Sequence, residues 1–289
     1  MSTGKPRVSV VVRARNDEAL VGRTLEGIFA QEAPVPFEVY VCDDASTDRT
    51  KEVASRFPVK FIEPPPRPYV PGRTLNALAR AVDGDIVAFD NSDAVPLDRS
   101  WLRELVAPLL EAPESPRATF ANQLARAGAL ATVRREQERA FGDGRVQATW
   151  RFFFSIASAA TWRRLILESP FDERLRISED VEWAWRNSRR AENPLRVVYC
   201  PGARVEHSHN YTLRELAVRF RLEGADARAI FGDRPSLARE LAGAGAATLR
   251  DWAHLVRHPR SWREIPGAPV RRLVKHVAHW RGTREEPAG

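Results

Sequence analysis

The side chains best suited to chemistry stand in three polar segments, and each segment directly follows an apolar run of strand length. Residues 13–17 (RARND) follow the valine-rich residues 8–12, and residues 90–96 (DNSDAVP) follow the run IVAF. Between them, Asp43 and Asp44 end the run FEVYVC. Paired carboxylates in such a place can accept hydrogen bonds from a nucleobase or bind a hard divalent cation. The structural alternative is that they cap the helix that follows, where negative charge suits the helix dipole.

The elements around these segments alternate between strand and helix over the first 120 residues, the pattern of a parallel sheet with crossover helices. Ligands bind at the carboxyl ends of such strands, where helix N-termini also point. The three polar segments should therefore meet at one edge and hold a nucleotide and a metal ion. The predicted strands cover residues 8–12, 37–43, 59–62, 86–89 and 203–206, and the predicted helices cover 20–31, 46–57 and 73–82, with a proline-rich extended loop at 63–72.

Two later segments carry further candidate groups. The segment ISEDVEWAWRN places Glu179 and Asp180 in the first turn of a helix, where acids are favourable whether or not they react. The segment VEHSHNY places His207 and His209 two residues apart, on the same face of an extended chain. That spacing suits metal binding, although a single histidine is more often a packing or surface residue.

Five segments together resemble, in order, the motifs of the family 2 glycosyltransferases, which have the nucleotide-diphospho-sugar transferase fold called GT-A. They are VSVVVRARND, VYVCDDASTDRT, GRTLNALARAVDGDIVAFDNSDAVP, ISEDVEWAWR and VEHSHNYTLREL. Their spacing resembles the bacterial rhamnosyltransferase-like branch over about residues 7–230, and an ordered series is more specific than any one motif. The resemblance implies an α/β fold with a mostly parallel central sheet flanked by helices and a C-terminal helical extension.

The same resemblance implies a domain organisation. A catalytic domain at residues 1–211 would have its donor half at about 1–123 and its acceptor half at about 124–211. A basic helical extension would follow at residues 212–289.

The resemblance also implies an inverting, metal-assisted sugar transfer. Asp44 would contact the donor's nucleobase, since a carboxylate accepts the N3 hydrogen of uracil or thymine. Asp93 would ligate Mg²⁺ or Mn²⁺, although the first acid of the family's Asp-x-Asp motif is Asn91 here; a simple turn is the alternative for Asp93. Asp180, of the pair Glu179 and Asp180, would be the general base that takes the proton of the acceptor hydroxyl.

Further residues complete the implied site. The family often brings a histidine to the diphosphate or its metal, so His207 and His209 are both ligand candidates. Relatives carry an arginine directly before Asn76, where this chain has Leu75. Arg73 would substitute from about half a turn earlier, or it is an ordinary arginine at an exposed helix start. The implied donor-binding residues are Arg13, Asn16, Asp44, Arg73, Asn76 and Ser92.

Composition indicates where the chain should work. No apolar run approaches the roughly 18 residues of a spanning helix, and the first apolar run, residues 8–12, is shorter than a signal-peptide core. We therefore expect a cytoplasmic protein, with the inner face of the cell membrane as a further location. Cys42 and Cys200 lie in apparent strands and should be buried thiols.

Positive charge is concentrated in the last part of the chain. Residues 212–289 hold 15 Lys or Arg against nine Asp or Glu, which accounts for most of the net charge of +7. Helix-like segments there, including VRRLVKHVAHW, are amphipathic and suit an anionic membrane surface. The alternatives are a helical subdomain, a homodimer contact or an ordinary solvated surface. No motif that reads nucleic acid accompanies the charge, so we expect no nucleic-acid partner.

These observations predict a hexosyltransferase of the rhamnosyltransferase type. It would move a sugar from a UDP- or dTDP-sugar donor to a hydroxyl of a cell-surface polysaccharide or lipid-linked glycan precursor. A catalytically silent nucleotide-sugar-binding relative remains an alternative because Asn91 replaces an acid. A sugar nucleotidyltransferase is a second alternative, although residues 11–20 (VVRARNDEAL) lack the glycines of a triphosphate-binding loop.

Overall fold

Valine-rich runs at the start of the chain form the middle of a single sheet. Val10, Val11 and Val12 are fully buried, as expected for a central parallel strand that is covered on both faces. The computed structural model describes residues 5–285, and within these residues eight strands join the sheet. They are β1 (Val8–Ala14), β2 (Phe37–Asp43), β3 (Lys60–Phe61), β4 (Ile86–Asn91), β5 (Val95–Pro96), β6 (Arg117–Leu124), β7 (Ser158–Trp162) and β8 (Arg196–Glu206).

The strand order across the sheet is β3-β2-β1-β4-β7-β6-β8-β5. Strand β1 runs parallel to both β2 and β4, which confirms the predicted parallel half of the sheet. Strand β7 lies antiparallel to β4 and to β6. The register sets Arg13 opposite both Cys42 and Asn91, so β1, β2 and β4 end almost level. The three polar segments therefore leave the sheet at the same edge.

Amphipathic segments form the helices near their predicted positions. Helix α1 (Val21–Phe29) buries Val21, Leu25 and Ile28, within the predicted range of 20–31. Helix α2 (Thr50–Ala54) starts later than predicted. Asp48 accepts hydrogen bonds from the N–H and the hydroxyl of Thr50, and these bonds fix the end of the loop that precedes the helix. The other helices are α3 (Pro71–Ala81), α4 (Trp101–Leu110), α5 (Ala131–Phe141), α6 (Arg145–Thr149), α7 (Arg163–Glu168), α8 (Glu179–Ser188), α9 (Leu213–Phe231), α10 (Leu237–Val256), a 3-10 helix (Pro259–Glu264) and α11 (Gly267–Gly282).

Contacts within the chain divide the described residues into two units. The first unit contains the residues up to Leu124 together with Arg139–Asp172 and Asp180–His207, and so holds the whole of this sheet. The second unit contains Ala125–Glu138, Glu173–Glu179 and the residues from Ser208 onward. The division therefore differs from a boundary at residue 211, since three segments of the expected acceptor half, residues 125–138, 173–179 and 208–211, group with the C-terminal helices.

Two glycines allow the helices of the second unit to approach closely. A Cβ atom on Gly224 of α9 would lie 2.1 Å from the carbonyl oxygen of His279. One on Gly282 of α11 would lie 1.9 Å from the carbonyl oxygen of Arg221. Any larger residue at either position would push α9 and α11 apart.

Among the described residues, no helix is both long enough and apolar enough to cross a bilayer.

Candidate active site

Hydrogen bonds between loops join the ends of β1, β2 and β4 into one surface of the first unit. The N–H of Asp44 donates to the last carbonyl of β1 at 2.8 Å, and the N–H of Ser92 donates to the carbonyl of Arg13 at 2.9 Å. Asn16 connects the β1 and β2 loops, because its Oδ1 accepts from the N–H of Thr47 at 2.7 Å. Its backbone has φ 50°, a left-handed conformation that asparagine tolerates better than most residues.

The two adjacent acids after β2 have different surroundings. Asp43 accepts hydrogen bonds from the N–H and the hydroxyl of Ser46, at 3.2 and 2.5 Å, and so stabilises the turn. The carboxylate of Asp44 lies between two guanidinium groups, with Nη1 of Arg15 at 3.4 Å and Nη1 of Arg67 at 3.1 Å. Arg67 also donates to the carbonyl oxygen of Asp44 at 2.8 Å. Neither arginine was predicted as a site residue, although both stand in segments that the sequence singled out, RARND and the proline-rich loop.

Asp93 lies beside His207, the histidine that directly follows β8. Oδ1 of Asp93 is 3.5 Å from Nε2 of His207, and both side chains are mostly buried. Nδ1 of the same ring is 2.8 Å from Oε1 of Gln123 at the end of β6. The amide nitrogen of Gln123 donates to the hydroxyl of Ser155 at 2.8 Å, which turns Oε1 toward the imidazole. Since Oε1 can only accept, Nδ1 carries the proton and the lone pair of a neutral ring lies on Nε2, facing Asp93.

Asn91 and Asp180 are connected through one residue, Ile156. Nη2 of Arg13 donates to Oδ1 of Asn91 at 2.6 Å and also lies 3.4 Å from the carbonyl oxygen of Ile156. The N–H of Ile156 donates to Oδ2 of Asp180 at 3.1 Å. The acid at the start of α8 is thereby linked to the end of β4. The side-chain oxygen of Asn91 thus accepts a hydrogen bond from a guanidinium in this structure.

Other predicted donor-binding residues make internal contacts. The hydroxyl of Ser92, which is buried, donates to Oδ2 of Asp17 at 2.7 Å. The buried amide of Asn76 exchanges two hydrogen bonds with the backbone of Phe171, at 3.0 and 2.9 Å, and so attaches α3 to that segment. Arg73 stands half-buried in the first turn of α3. The side chains of Ser92 and Asn76 therefore stabilise the first unit through internal hydrogen bonds.

Two predicted site residues fall in the second unit. Glu179 begins α8 and is buried, one residue before the division between the units. The ring of His209 stacks on that of Tyr211, with 5.1 Å between the ring centroids.

A buried acid adjoins this surface. Asp90, one residue before Asn91 on β4, is fully buried and lies opposite Ser158 of β7. Burial raises the pKa of Asp90 well above its ordinary value, and the neighbouring Ser158 hydroxyl and Arg13 lower it only in part. Burial thus favours the neutral form of Asp90, which belongs to the interior of the sheet. The hydroxyl of Ser158 in turn accepts the indole N–H of Trp101 at 3.0 Å.

Asp93 and His207 have the chemistry of a divalent-cation site. Two atoms that each bind one ion at about 2.1 Å stand no more than about 4.2 Å apart, and the 3.5 Å between Oδ1 and Nε2 satisfies this limit. A carboxylate oxygen with an imidazole nitrogen suits Mn²⁺ and related ions. The hydrogen bond from His207 to Gln123 is the kind of outer contact that orients a ligating imidazole.

Solved structures of known proteins share this fold. A mannosyltransferase from Pyrobaculum calidifontis, in complex with GDP-mannose and Mn²⁺, matches with a TM-score of 0.63 and 21% identity, covering 95% of this chain and 88% of its own. Glucosyl-3-phosphoglycerate synthase from Mycobacterium tuberculosis, in complex with Mn²⁺, UDP and glucosyl-3-phosphoglycerate, matches with a TM-score of 0.58 and 23% identity. That match covers 80% of this chain and 82% of the synthase. The fold is GT-A, as predicted.

Sequence comparison identifies relatives over nearly the whole chain. The O-antigen chain rhamnosyltransferase WbaN of Salmonella anatum is 26% identical over 272 residues, which are 87% of this chain and 83% of that protein. The O-antigen chain rhamnosyltransferase RfbN of Salmonella typhimurium is 25% identical, over 95% of this chain and 90% of its own length. The family model "Glycosyl transferase family 2" matches residues 9–167, more than half of the chain. With the resemblance predicted from its motifs thus confirmed, the chain belongs to glycosyltransferase family 2 and is a hexosyltransferase.

Proposed function

We propose that this enzyme transfers a sugar, with inversion, from a UDP- or dTDP-sugar to a hydroxyl group of a cell-surface polysaccharide or lipid-linked glycan precursor. The observation that carries the proposal is the arrangement in the first unit. Asp44, Asp93 and Asp180 follow or face the level ends of β1, β2 and β4, and hydrogen bonds through Ile156 and Arg13 connect Asp180 to β1 and β4. The relatives WbaN and RfbN, both rhamnosyltransferases of O-antigen chains, support this class of donor and acceptor.

In the proposed donor complex, Asp44 accepts the imide N–H of uracil or thymine. Its carboxylate now pairs with Arg15 and Arg67, and both arginine side chains are about half exposed. The incoming base and phosphates give these arginines new partners, so that no buried charge is left unpaired. Arg13, near the end of β1, and Asn16, in the loop that follows, complete the donor side together with Arg73. For Ser92 and Asn76 the proposal is a supporting role, since their side chains make internal hydrogen bonds.

Asp93 and His207 would hold the divalent cation, Mg²⁺ or Mn²⁺. For His209, which belongs to the second unit, a ligand role stays a prediction. The cation would neutralise charge on the departing nucleoside diphosphate. The contribution of this chain is to hold the two ligand atoms 3.5 Å apart and, through Gln123, to keep the Nε2 lone pair directed at Asp93.

Asp180 is the proposed general base, with Glu179 beside it in the same helical turn. The acceptor oxygen bonds to the anomeric carbon as the bond from that carbon to the diphosphate breaks, and the acceptor proton passes to the Asp180 carboxylate. The N–H of Ile156, 3.1 Å from Oδ2, fixes the direction of this carboxylate.

The alternative of a catalytically silent relative rests on Asn91, which stands where the family has an acid and accepts a hydrogen bond from Arg13; the rhamnosyltransferase relatives favour the enzyme. Membership of glycosyltransferase family 2 displaces the sugar nucleotidyltransferase alternative.

A donor screen tests the proposal. Release of nucleoside diphosphate is measured from UDP-glucose, dTDP-rhamnose and GDP-mannose, with and without Mn²⁺, on wild type, Asp180→Asn and Asp98→Asn. Asp98 is a matched control, since it is an acid of the first unit paired with Arg204 at the surface. We expect Asp180→Asn to lose at least about 100-fold in turnover while UDP binding persists, and Asp98→Asn to keep it. Full turnover in Asp180→Asn would overturn the base assignment, and UDP binding without any turnover in wild type would establish the silent relative.

A membrane surface is the proposed docking partner of the second unit. On α10, one face is apolar and open to solvent, including Leu241, Leu249 (64% exposed) and Val256 (59% exposed). Trp262 of the following 3-10 helix is 54% exposed. Such a face lies well in the interfacial region of a bilayer. The segment favoured from sequence, VRRLVKHVAHW in α11, is less suitable, because Arg272 and Lys275 are paired inside the unit.

The charges around this face match an anionic bilayer. The acids of residues 237–265 are all turned into the second unit: Glu240 contacts His276, Asp251 pairs with Arg135 and Arg272, and Glu264 accepts hydrogen bonds from Thr132. The exposed charged residues of the same stretch are arginines, namely Arg239, Arg250, Arg257, Arg260 and Arg263. A second copy of the chain would bring like charges together, which disfavours a homodimer through this face.

Vesicle flotation tests this surface. We choose vesicles that contain 30% phosphatidylglycerol. Wild type should float with these vesicles and not with vesicles of pure phosphatidylcholine. The double variant Leu249→Glu, Trp262→Glu should stay in solution, whereas Val218→Glu, an equally exposed apolar position on α9, should still float. Equal flotation of the two variants would refute the membrane assignment. So would a wild-type dimer that the double substitution dissociates.

A further inference from the structure

Asp226 lies outside the five motifs, and it holds the segment that leads into α8. It lies in the middle of α9 and is 4% exposed. Its Oδ2 accepts hydrogen bonds from three successive backbone N–H groups, those of Arg176 at 3.2 Å, Ile177 at 3.0 Å and Ser178 at 3.0 Å. All four residues belong to the second unit.

These three amides immediately precede α8, which starts at Glu179. Asp180 is the second residue of that helix, so only Glu179 separates it from the held segment. Three N–H groups converging on one carboxylate fix the backbone path into the helix more tightly than a single cap does, because each bond to a charged acceptor is strong. On its other side, Asp180 accepts the N–H of Ile156. The proposed base is thus fixed by its carboxylate and by the chain that leads to it.

We propose that Asp226 is a positioning residue for the transfer reaction: it fixes the backbone of residues 176–178 and so sets where Asp180 stands. This inference depends on the proposed role of Asp180 as the base. It assigns a role in turnover to α9, a helix of the C-terminal extension.

A purely structural role for Asp226 makes a different prediction, and Asp251 provides the matched control. Asp251 is also a buried acid of the second unit, 1% exposed, and it pairs with Arg135 at 2.9 Å and with Arg272 at 2.5 Å. Asp251→Asn should weaken the unit without touching the path into α8. Asp226→Asn keeps the size of the side chain but removes its charge and replaces one oxygen by an NH₂ group that cannot accept.

The experiment combines amide hydrogen exchange with kinetics. In Asp226→Asn, exchange of the amides of Ile177 and Ser178 should speed up at least tenfold, while Asp251→Asn should leave it unchanged. Turnover of the donor identified in the screen should fall about 10- to 100-fold in Asp226→Asn, as for a reacting group displaced by about 1 Å, with KM for donor and Kd for UDP with Mn²⁺ within twofold of wild type. Asp251→Asn should retain kcat at temperatures well below its Tm.

Equal kcat in the two variants, or protection of residues 176–178 that survives Asp226→Asn, would overturn the inference. If wild type turns over no donor, the proposed function has failed and not the anchoring by Asp226. The exchange rates of the two amides then still decide whether the carboxylate fixes the segment.

Discussion

Gln123 should control the affinity of the proposed metal site without touching the metal. Its buried amide donates to Ser155 and accepts from His207, each at 2.8 Å. In Gln123→Leu the volume is nearly kept but the acceptor for Nδ1–H is lost. The ring is then free to rotate or to place its proton on Nε2, where it blocks the lone pair that faces Asp93.

The expected loss is the loss that follows removal of an outer contact of a ligating histidine. Such changes typically weaken metal binding about 10- to 100-fold, which corresponds to about 1.4 to 2.7 kcal/mol. A titration of Mn²⁺ in the presence of UDP, followed by the electron paramagnetic resonance signal of free Mn²⁺, measures this directly and requires no turnover. Gln123→Glu, which keeps an acceptor at the same place, should recover most of the affinity.

Gln31→Leu is the matched control. Gln31 is also a buried glutamine that bridges elements of the first unit, donating to two carbonyl oxygens at 2.8 and 2.7 Å and accepting the N–H of Leu102 at 2.9 Å. Its loss should cost stability and leave Mn²⁺ affinity unchanged. If Gln123→Leu binds Mn²⁺ as tightly as Gln31→Leu does, then His207 does not need a fixed tautomer and the reasoning fails.

Three further predictions concern single residues. Burial raises the pKa of Asp90, so the folded chain binds this proton more tightly than the unfolded chain does. The free energy of unfolding should therefore fall as pH rises above about 4, by up to about 1.4 kcal/mol per pH unit. Urea titrations at pH 5 and pH 8 should show a smaller difference in unfolding free energy for Asp90→Asn than for wild type. Asn91→Asp should leave Mn²⁺ affinity unchanged, because the Arg13 guanidinium at 2.6 Å retains the new carboxylate; a clear gain measured by the same titration would show that the position can ligate. Thr212→Ala removes the capping box that Thr212 forms with Glu215, and it should lower the unfolding free energy of the second unit by about 1 kcal/mol in urea.

The parallel half of the sheet can be predicted from sequence because a local pattern marks each of its longer strands. Runs such as VSVVV end at polar segments, and a parallel sheet brings such ends together whatever the details. Strand β7 has the sequence SAATW, whose small residues give no alternation, and it is defined by pairing with β4 about 70 residues earlier. Its existence, and with it the place of Ile156, could not be predicted from a local pattern.

Two contacts of the candidate site, those of Arg67 and Gln123, could not be predicted for a related reason. Arg67 reaches Asp44 across 23 residues and Gln123 reaches His207 across 84, so their roles depend on strand order and on side-chain direction. Residue type alone indicated neither contact. The acids were easier, since Asp44, Asp93 and Asp180 each stand at the end or the start of an element that the sequence marks clearly.

The backbone of Ile156 connects the two proposed sides of the reaction. Its N–H contacts Asp180, the proposed base, and its carbonyl oxygen contacts Arg13, a proposed donor-binding residue. Both contacts come from one residue that is 5% exposed, so its φ and ψ are held by packing. In the proposed reaction, loops around the rim can therefore change length to suit a different acceptor while the base and the donor side keep the same spacing.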